Sequence, residues 1–317
     1  MDRGGGLRRL SVTAALVVAL ASTACASGGT GRRPAALPAP SATTGSSATT
    51  GPANTSPPSS GPPSVAPTAG FLAFGDFGGG SAQRAVATAM EAWVAAGHRV
   101  DALVTTGDNV YEVATPRLFR AQLDEPYRKL RAGRPLWATL GNHDVAGGFG
   151  DEELTYLGLP RLPYTESLTG VEFLFLDANH PDDAQARWLD QRLSEPGPPF
   201  RVVVFHQPAW SCGLHGSTAD VDQRWVPVIE RHRVALVLNG HDHDYERFLS
   251  RGGVTYVVTG GGGRELYPVL GRCVEEPAPQ ASAVRHHFVA VQVEPHALRL
   301  VAVGDDGAVF DQAVVER

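Results

Sequence analysis

The chain has 317 residues, a net charge of −6 and three cysteines. Mild acidity argues against a nucleic-acid binder, which would present a basic face. The 43% hydrophobic content is that of a globular protein. The length could hold two domains, but the first fifth is not foldable sequence, which leaves one large domain.

Residues 1–25 read as an export signal. Arg3, Arg8 and Arg9 precede an apolar run from Leu10 to Ala21, too short to span a bilayer but suited to a signal peptide. Ser22-Thr23-Ala24-Cys25 resembles a bacterial lipobox, with Ser22 where that pattern prefers Leu. Cys25 would then be lipidated and the protein held on the outer face of the cell membrane, its only membrane contact; without lipid it would be secreted. Arg8-Arg9 hints at twin-arginine export, but Ser11 stands where a large apolar residue is usual. Residues 26–69 are almost entirely Ala, Ser, Thr, Gly and Pro. They cannot bury enough surface to offset their ordering entropy and read as a disordered tether, with a span on the order of 40 Å.

Residues 70–317 alternate strand and helix. Phe71–Phe74 is a buried strand ending in Gly75-Asp76, and Ser81–Ala96 has helical periodicity. Ala102–Thr106 ends in Gly107-Asp108-Asn109. Thr115-Pro116 opens a helix expected to reach about Leu130. Leu136–Leu140 ends in Gly141-Asn142-His143-Asp144. Strand Val171–Leu176 and helix Asp182–Leu193 follow. Arg201–Phe205 ends in His206, Val221–His232 is a helix, and Val234–Leu238 runs into Asn239-Gly240-His241-Asp242-His243. The tail has four strands without helices: Val254–Thr259, Phe288–Val293, Leu298–Val303 and Ala308–Val315. This predicts an α/β fold of two packed sheets with helices outside.

Two histidines one residue apart after a strand cannot both enter a core. They aim at a metal or form a polar turn with two solvated imidazoles. The other strand ends favour metal, since Asp76, Asp108, Asn142 and His206 are carboxylate, amide and imidazole donors that suit Fe, Mn or Zn. The glycine before most of them lets the strand end turn sharply. No cysteine joins the set, which argues against a structural zinc site.

These motifs resemble the calcineurin-like metallophosphoesterases, and within them the purple acid phosphatases. They are Gly75-Asp76-Phe77-Gly78, Gly107-Asp108-Asn109-Val110-Tyr111, Gly141-Asn142-His143-Asp144, Val203-Val204-Phe205-His206 and Gly240-His241-Asp242-His243. The resemblance implies a four-layer α/β/β/α sandwich of two mixed sheets. It implies two metal ions: one held by Asp76, Asp108, Tyr111 and His243, the other by Asp108, Asn142, His206 and His241. Most of the superfamily carries His at the place of Gly78; here Tyr111 replaces that ligand, as in the purple acid phosphatases, and implies Fe(III) at its site. The second ion stays open among Fe, Zn and Mn. The run from His206 to Thr218 resembles a loop of the tartrate-resistant branch. It implies that His143 and His215 flank the phosphate of a small phosphoester substrate and assist attack by a metal-bound hydroxide.

The implied reaction is acid phosphomonoester hydrolysis. The alternatives are a phosphodiesterase on the same scaffold and a catalytically silent phosphate-binding surface protein. Cys212 and Cys273 form a disulfide or remain separate thiols; sequence leaves both readings open. Asp144 and Asp242 are expected to orient ligand histidines, and Arg264, close in sequence to the motifs, could touch substrate but reads first as a solvated or packing residue.

Overall fold

The computed structural model describes residues 66–269 and 277–317. The export signal, most of the tether and Cys273 lie outside the described residues. The described residues form one compact unit.

The strands are β1 (Ala69–Phe74), β2 (Ala102–Thr105), β3 (Leu136–Ala138), β4 (Tyr164–Leu168), β5 (Val171–Phe175), β6 (Phe200–Val204) and β7 (Leu236–Asn239). After them come β8 (Tyr245–Leu249), β9 (Thr255–Thr259), β10 (Ala281–Ala283), β11 (His287–Val293), β12 (Ala297–Gly304) and β13 (Val309–Glu316). One sheet has the order β13-β12-β11-β1-β2-β3, the other β10-β8-β9-β7-β6-β5-β4. Both are mixed. In the first, β1, β2 and β3 run parallel while β11, β12 and β13 pair antiparallel. In the second, β5, β6, β7 and β9 run parallel. The helices are α1 (Gly80–Ala95), α2 (Pro116–Phe119), α3 (Asn142–Ala146), α4 (Gly150–Leu157), α5 (Asp183–Ser194), α6 (Ala219–Arg224) and α7 (Val226–Arg231).

Alternation along the strands builds three apolar layers. In β1, Phe71 and Ala73 face the second sheet, and the Phe71 ring meets Phe173 of β5 edge-on at 4.9 Å. Leu72 and Phe74 point the other way, toward Val86 and Met90 of α1. On the far side, Leu174 and Val203 pack against Leu189 of α5, Trp225 and Ile229. Each buried Phe or Leu contributes about 1.5–3 kcal/mol. The result is the α/β/β/α sandwich.

Two expected helices are broken, and proline explains both. The helix expected from Pro116 to Leu130 is regular only to Phe119. A π-helical turn follows over Arg120–Asp124, with the Glu125 amide donating to the Arg120 carbonyl at 2.9 Å. Pro126 has no N–H to give Gln122, and its ring would press on that carbonyl, so the helical ladder cannot continue. The expected helix Val221–His232 is split into α6 and α7 at Trp225. Pro227, in the first turn of α7, supplies no amide to the preceding turn. The helices α3 and α4 and the strands β4, β8 and β10 answer to no element read from sequence. In β8, Glu246 and Arg247 hide the strand, because their charges are met by distant partners: the Cys212 amide for Glu246 and Asp311 for Arg247.

Candidate metal centre

The parallel strands of both sheets end on one side of the molecule, and five of those ends supply the candidate ligands. Asp76 follows β1, Asp108 and Tyr111 follow β2, and Asn142 and His143 follow β3. His206 follows β6, and His241 and His243 follow β7. Reaching a common point requires sharp turns. Asp76, Asp108 and His241 sit in the left-handed region at φ 57°, 49° and 75°, a conformation costing a non-glycine residue about 1–2 kcal/mol.

The preceding glycines serve a second purpose that sequence did not show. Only Gly107 of the four is left-handed, at φ 94°. At Gly75, Gly141 and Gly240 the issue is space. A Cβ there would lie 2.0 Å from the Thr106 hydroxyl, 2.1 Å from Asp108 Oδ1 and 2.3 Å from Asp76 Oδ2, respectively. The expected sharp-turn role therefore holds at Gly107, and close approach accounts for the other three.

Donor atoms of Asp76, Asp108 and His243 lie within 4.8 Å of one another. The Tyr111 hydroxyl joins them, 2.7 Å from Asp108 Oδ2, 3.2 Å from His243 Nε2 and 3.5 Å from Asp76 Oδ1. His206 Nε2 is 3.2 Å from Asn142 Oδ1 and 3.4 Å from Asp108 Oδ2. The His241 ring stands 5.1 Å from that of His206. Asp108 is thus in reach of both groups. All seven expected ligands meet at this strand-end surface, and Asp76 and His206 have no exposed surface at all.

The histidines are aimed by backbone. His206 Nδ1 donates to the Thr106 carbonyl at 2.8 Å, and His243 Nδ1 donates to that of Glu265 at 2.6 Å. A carbonyl only accepts, so Nδ1 carries a hydrogen and Nε2 is the nitrogen whose lone pair a cation would take. His143 is held likewise, its Nδ1 2.5 Å from the Glu112 carbonyl. Its Nε2 lies 4.0 Å from Asp108 Oδ2, and its ring lies 4.2 Å from that of Tyr111. His215 stacks on His241 at 4.3 Å.

Asp144 and Asp242 do not orient ligand histidines through their side chains, contrary to expectation. Asp144 accepts the amides of Gly141 at 2.8 Å, Asn109 at 2.9 Å and Val110 at 3.0 Å, which ties the β2 and β3 ends together. Asp242 holds the other loop: it accepts the His215 amide at 2.7 Å, the Gly216 amide at 3.1 Å and the Ser211 hydroxyl at 2.5 Å. Cys212 in that loop is disulfide-bonded. Most of these partners are backbone amides, which carry no residue code, so nothing in the sequence marks the roles.

The charges are strongly perturbed. Burial raises Asp76 above the usual carboxylate range. Burial also pushes Asp108 up, but the His206 charge and hydrogen bonds from His206, Tyr111 and the His143 amide outweigh it and hold Asp108 below its ordinary value. Burial lowers His206, yet Asp108 and Asp76 prevail and raise it to about 10. His241 falls to about 2, through burial and then the neighbouring His206 and His215. Burial and the two carboxylates keep the Tyr111 phenol far above its ordinary value. Buried carboxylates converging with a phenol and imidazoles make a hard donor set, and it fits a multivalent cation, which would reverse these shifts.

A family model described as calcineurin-like phosphoesterase matches residues 70–245, more than half of the chain. Purple acid phosphatase 7 of Arabidopsis thaliana is 26% identical over 231 residues, covering 61% of this chain and 70% of that protein. Tartrate-resistant acid phosphatase type 5 of Mus musculus is 26% identical over 239 residues, covering 62% and 73%. The structure of a purple acid phosphatase from yellow lupin (Lupinus luteus) seeds shares the fold, with a TM-score of 0.62 at 18% identity, over 80% of this chain and 54% of that one. The family match, falling on the same strand ends that gather the ligands, makes this chain a member of the calcineurin-like phosphoesterase family, a hydrolase of phosphoric esters.

Proposed function

We propose that the chain is a dinuclear acid phosphomonoesterase of the purple acid phosphatase type, working outside the cytoplasm as residues 1–25 imply. The observation that carries this reading is the Tyr111 hydroxyl, within 3.5 Å of Asp76, Asp108 and His243. A phenolate is a hard anionic donor that favours ferric iron, whereas His in its place would favour softer ions. Asp76, Asp108, Tyr111 and His243 would hold one ion, and Asp108, Asn142, His206 and His241 the other. When bound, the pair supplies Lewis acidity and an activated water for in-line displacement at phosphorus.

The chain's own groups do the remainder. Attack by water forms one P–O bond, the ester P–O bond breaks, and the leaving oxygen needs a proton. His143, with a proton on each ring nitrogen, is the group to give it, since its Nδ1–H is committed to the Glu112 carbonyl and its Nε2–H faces the site. His215 is fixed by Asp242 through its backbone and by His241 through ring stacking, so it is placed to neutralise charge on the phosphoryl oxygens.

The test uses metal-replete protein, an aryl phosphate monoester and the matching diester, with iron, zinc and manganese counted in the same sample. The monoester should turn over faster. His143→Ala should lower its kcat by roughly 10²–10⁴-fold with two metals per chain retained. Preference for the diester would replace this reading with a phosphodiesterase, and loss of metal from His143→Ala would make His143 a ligand.

A further inference from the structure

β9 also ends at the site. Beyond Thr259 the chain passes through Gly260–Gly263 and lays Arg264 on the ring of Tyr111, its guanidinium carbon 4.3 Å from the centroid. The backbone fixes the residue from both sides. The Arg264 amide donates to the Asp76 carbonyl at 2.9 Å, and its own carbonyl accepts from His286 Nε2 at 3.0 Å. Among the described residues the guanidinium has one ionic partner, Glu112, at 2.6 Å. Its Nε is buried and makes no hydrogen bond among the described residues, while the side chain as a whole remains 29% exposed. Among the described residues, no other Arg or Lys side chain makes a hydrogen bond, ion pair or ring contact with any of the seven candidate ligands.

Two features put this cation on the leaving-group side. Tyr111 is in ring contact with both Arg264 and His143. Glu112 serves both neighbours as well: its carbonyl takes His143 Nδ1, and its carboxylate takes Arg264. The proton donor and the cation therefore share one scaffold, and the atom His143 protonates is the leaving oxygen.

We propose that Arg264 determines specificity by binding a second phosphoryl group on the leaving side of the substrate. The favoured substrates carry a phosphate next to the one removed, as in a nucleoside diphosphate losing its terminal phosphate. The inference rests on the phosphoesterase reading above. Guanidinium binds phosphate through two parallel N–H bonds and uses only one donor group on Glu112. The Glu112 carboxylate is 72% exposed, and an ion pair so open to solvent exchanges partners at little cost. Glu112 is thus a competitor for the same cation, which gives the two residues opposite effects on selectivity.

The experiment measures kcat and KM of the metal-replete full chain for ADP and for phenyl phosphate. Arg264→Gln should raise the ratio of the ADP KM to the phenyl phosphate KM about tenfold, the size of one charge-assisted hydrogen bond, with the kcat ratio little moved. Glu112→Gln should lower the same KM ratio, and Arg264→Lys should fall between wild type and Arg264→Gln. An unchanged ratio in Arg264→Gln, or a shift in the same direction in Glu112→Gln, overturns the proposal. If the wild type hydrolyses neither compound, the phosphoesterase reading fails on its own account. Equilibrium dialysis of methylenediphosphonate against orthophosphate then still decides the role of Arg264. A loss in Arg264→Gln confined to the diphosphonate supports the proposal, and equal losses refute it.

Discussion

Gly78 offers a direct test of how the first motif and Tyr111 depend on one another. A Cβ at position 78 would lie 2.0 Å from Tyr111 Cδ2, 2.4 Å from Cγ and 2.6 Å from Cβ. The backbone there has φ +26°, outside the range an L side chain favours. Gly78→Ala should therefore cost about 1–3 kcal/mol from overpacking and about 1 kcal/mol from the backbone. In a Tyr111→Ala background the ring is gone and only the contact between the two Cβ atoms remains, so the cost should shrink by at least about 1 kcal/mol. The measurement is urea unfolding of the four proteins of this cycle in excess chelator, which isolates packing from metal binding. Equal costs in both backgrounds, to within about 0.5 kcal/mol, would refute the claim that the Tyr111 ring occupies the volume a side chain at 78 would need. If the coupling is found, Gly at 78 and Tyr at 111 are two halves of one steric requirement.

Asp242→Ala should free the His215 and Gly216 amides and lower kcat by about tenfold or more, because a small misplacement at a reacting centre has large kinetic effects. Metal content should be retained, and Asp242→Glu should restore part of the rate; metal loss instead would place Asp242 in support of His241 and His243. Burial holds His287 at about 4, with its ring against Thr259 and Tyr245. Its folded value is depressed, so the neutral form is the native one. Its stabilising contribution is whole above the unfolded value of about 6.5 and is lost as pH falls from there toward 4. The ceiling is about 3 kcal/mol. Compared in chelator between pH 7.5 and 4.5, His287→Gln should lose less stability than wild type. Parallel curves would mean that His287 is not the group responsible.

Purple acid phosphatase likeness was legible early because the chemistry sits in short contiguous motifs. A Gly followed by Asp, Asn or His after an apolar run names both the strand end and the donor, and four such runs, with His206 after a fifth apolar run, identify the family without any distance. The sandwich was legible for a similar reason: runs such as Phe71–Phe74 and Val202–Phe205 are apolar on both faces, which only a strand buried between two layers tolerates. Local patterns faltered where non-local atoms decide. Pro126 and Pro227 could have been read as breaks, yet the alternative they force, a π-turn in one case and two short helices in the other, depends on what packs around them.

By itself, then, the sequence determined the donor types, their order and the strands that carry them, because side-chain chemistry and local periodicity are properties of neighbouring residues. Tertiary structure alone decided how those donors are aimed and supported. The carbonyls of Thr106, Glu112 and Glu265 orient three histidines, yet every residue type has a carbonyl, so no letter marks them. Asp242 reaches 27 residues back to hold His215, and Arg264 crosses 153 positions to lie on Tyr111. Such contacts exist only once two sheets have packed and brought their strand ends together. The glycines at 75, 141 and 240 show the same division. Sequence places them before each donor, but the reason no larger residue fits is an atom from another strand within 2.3 Å.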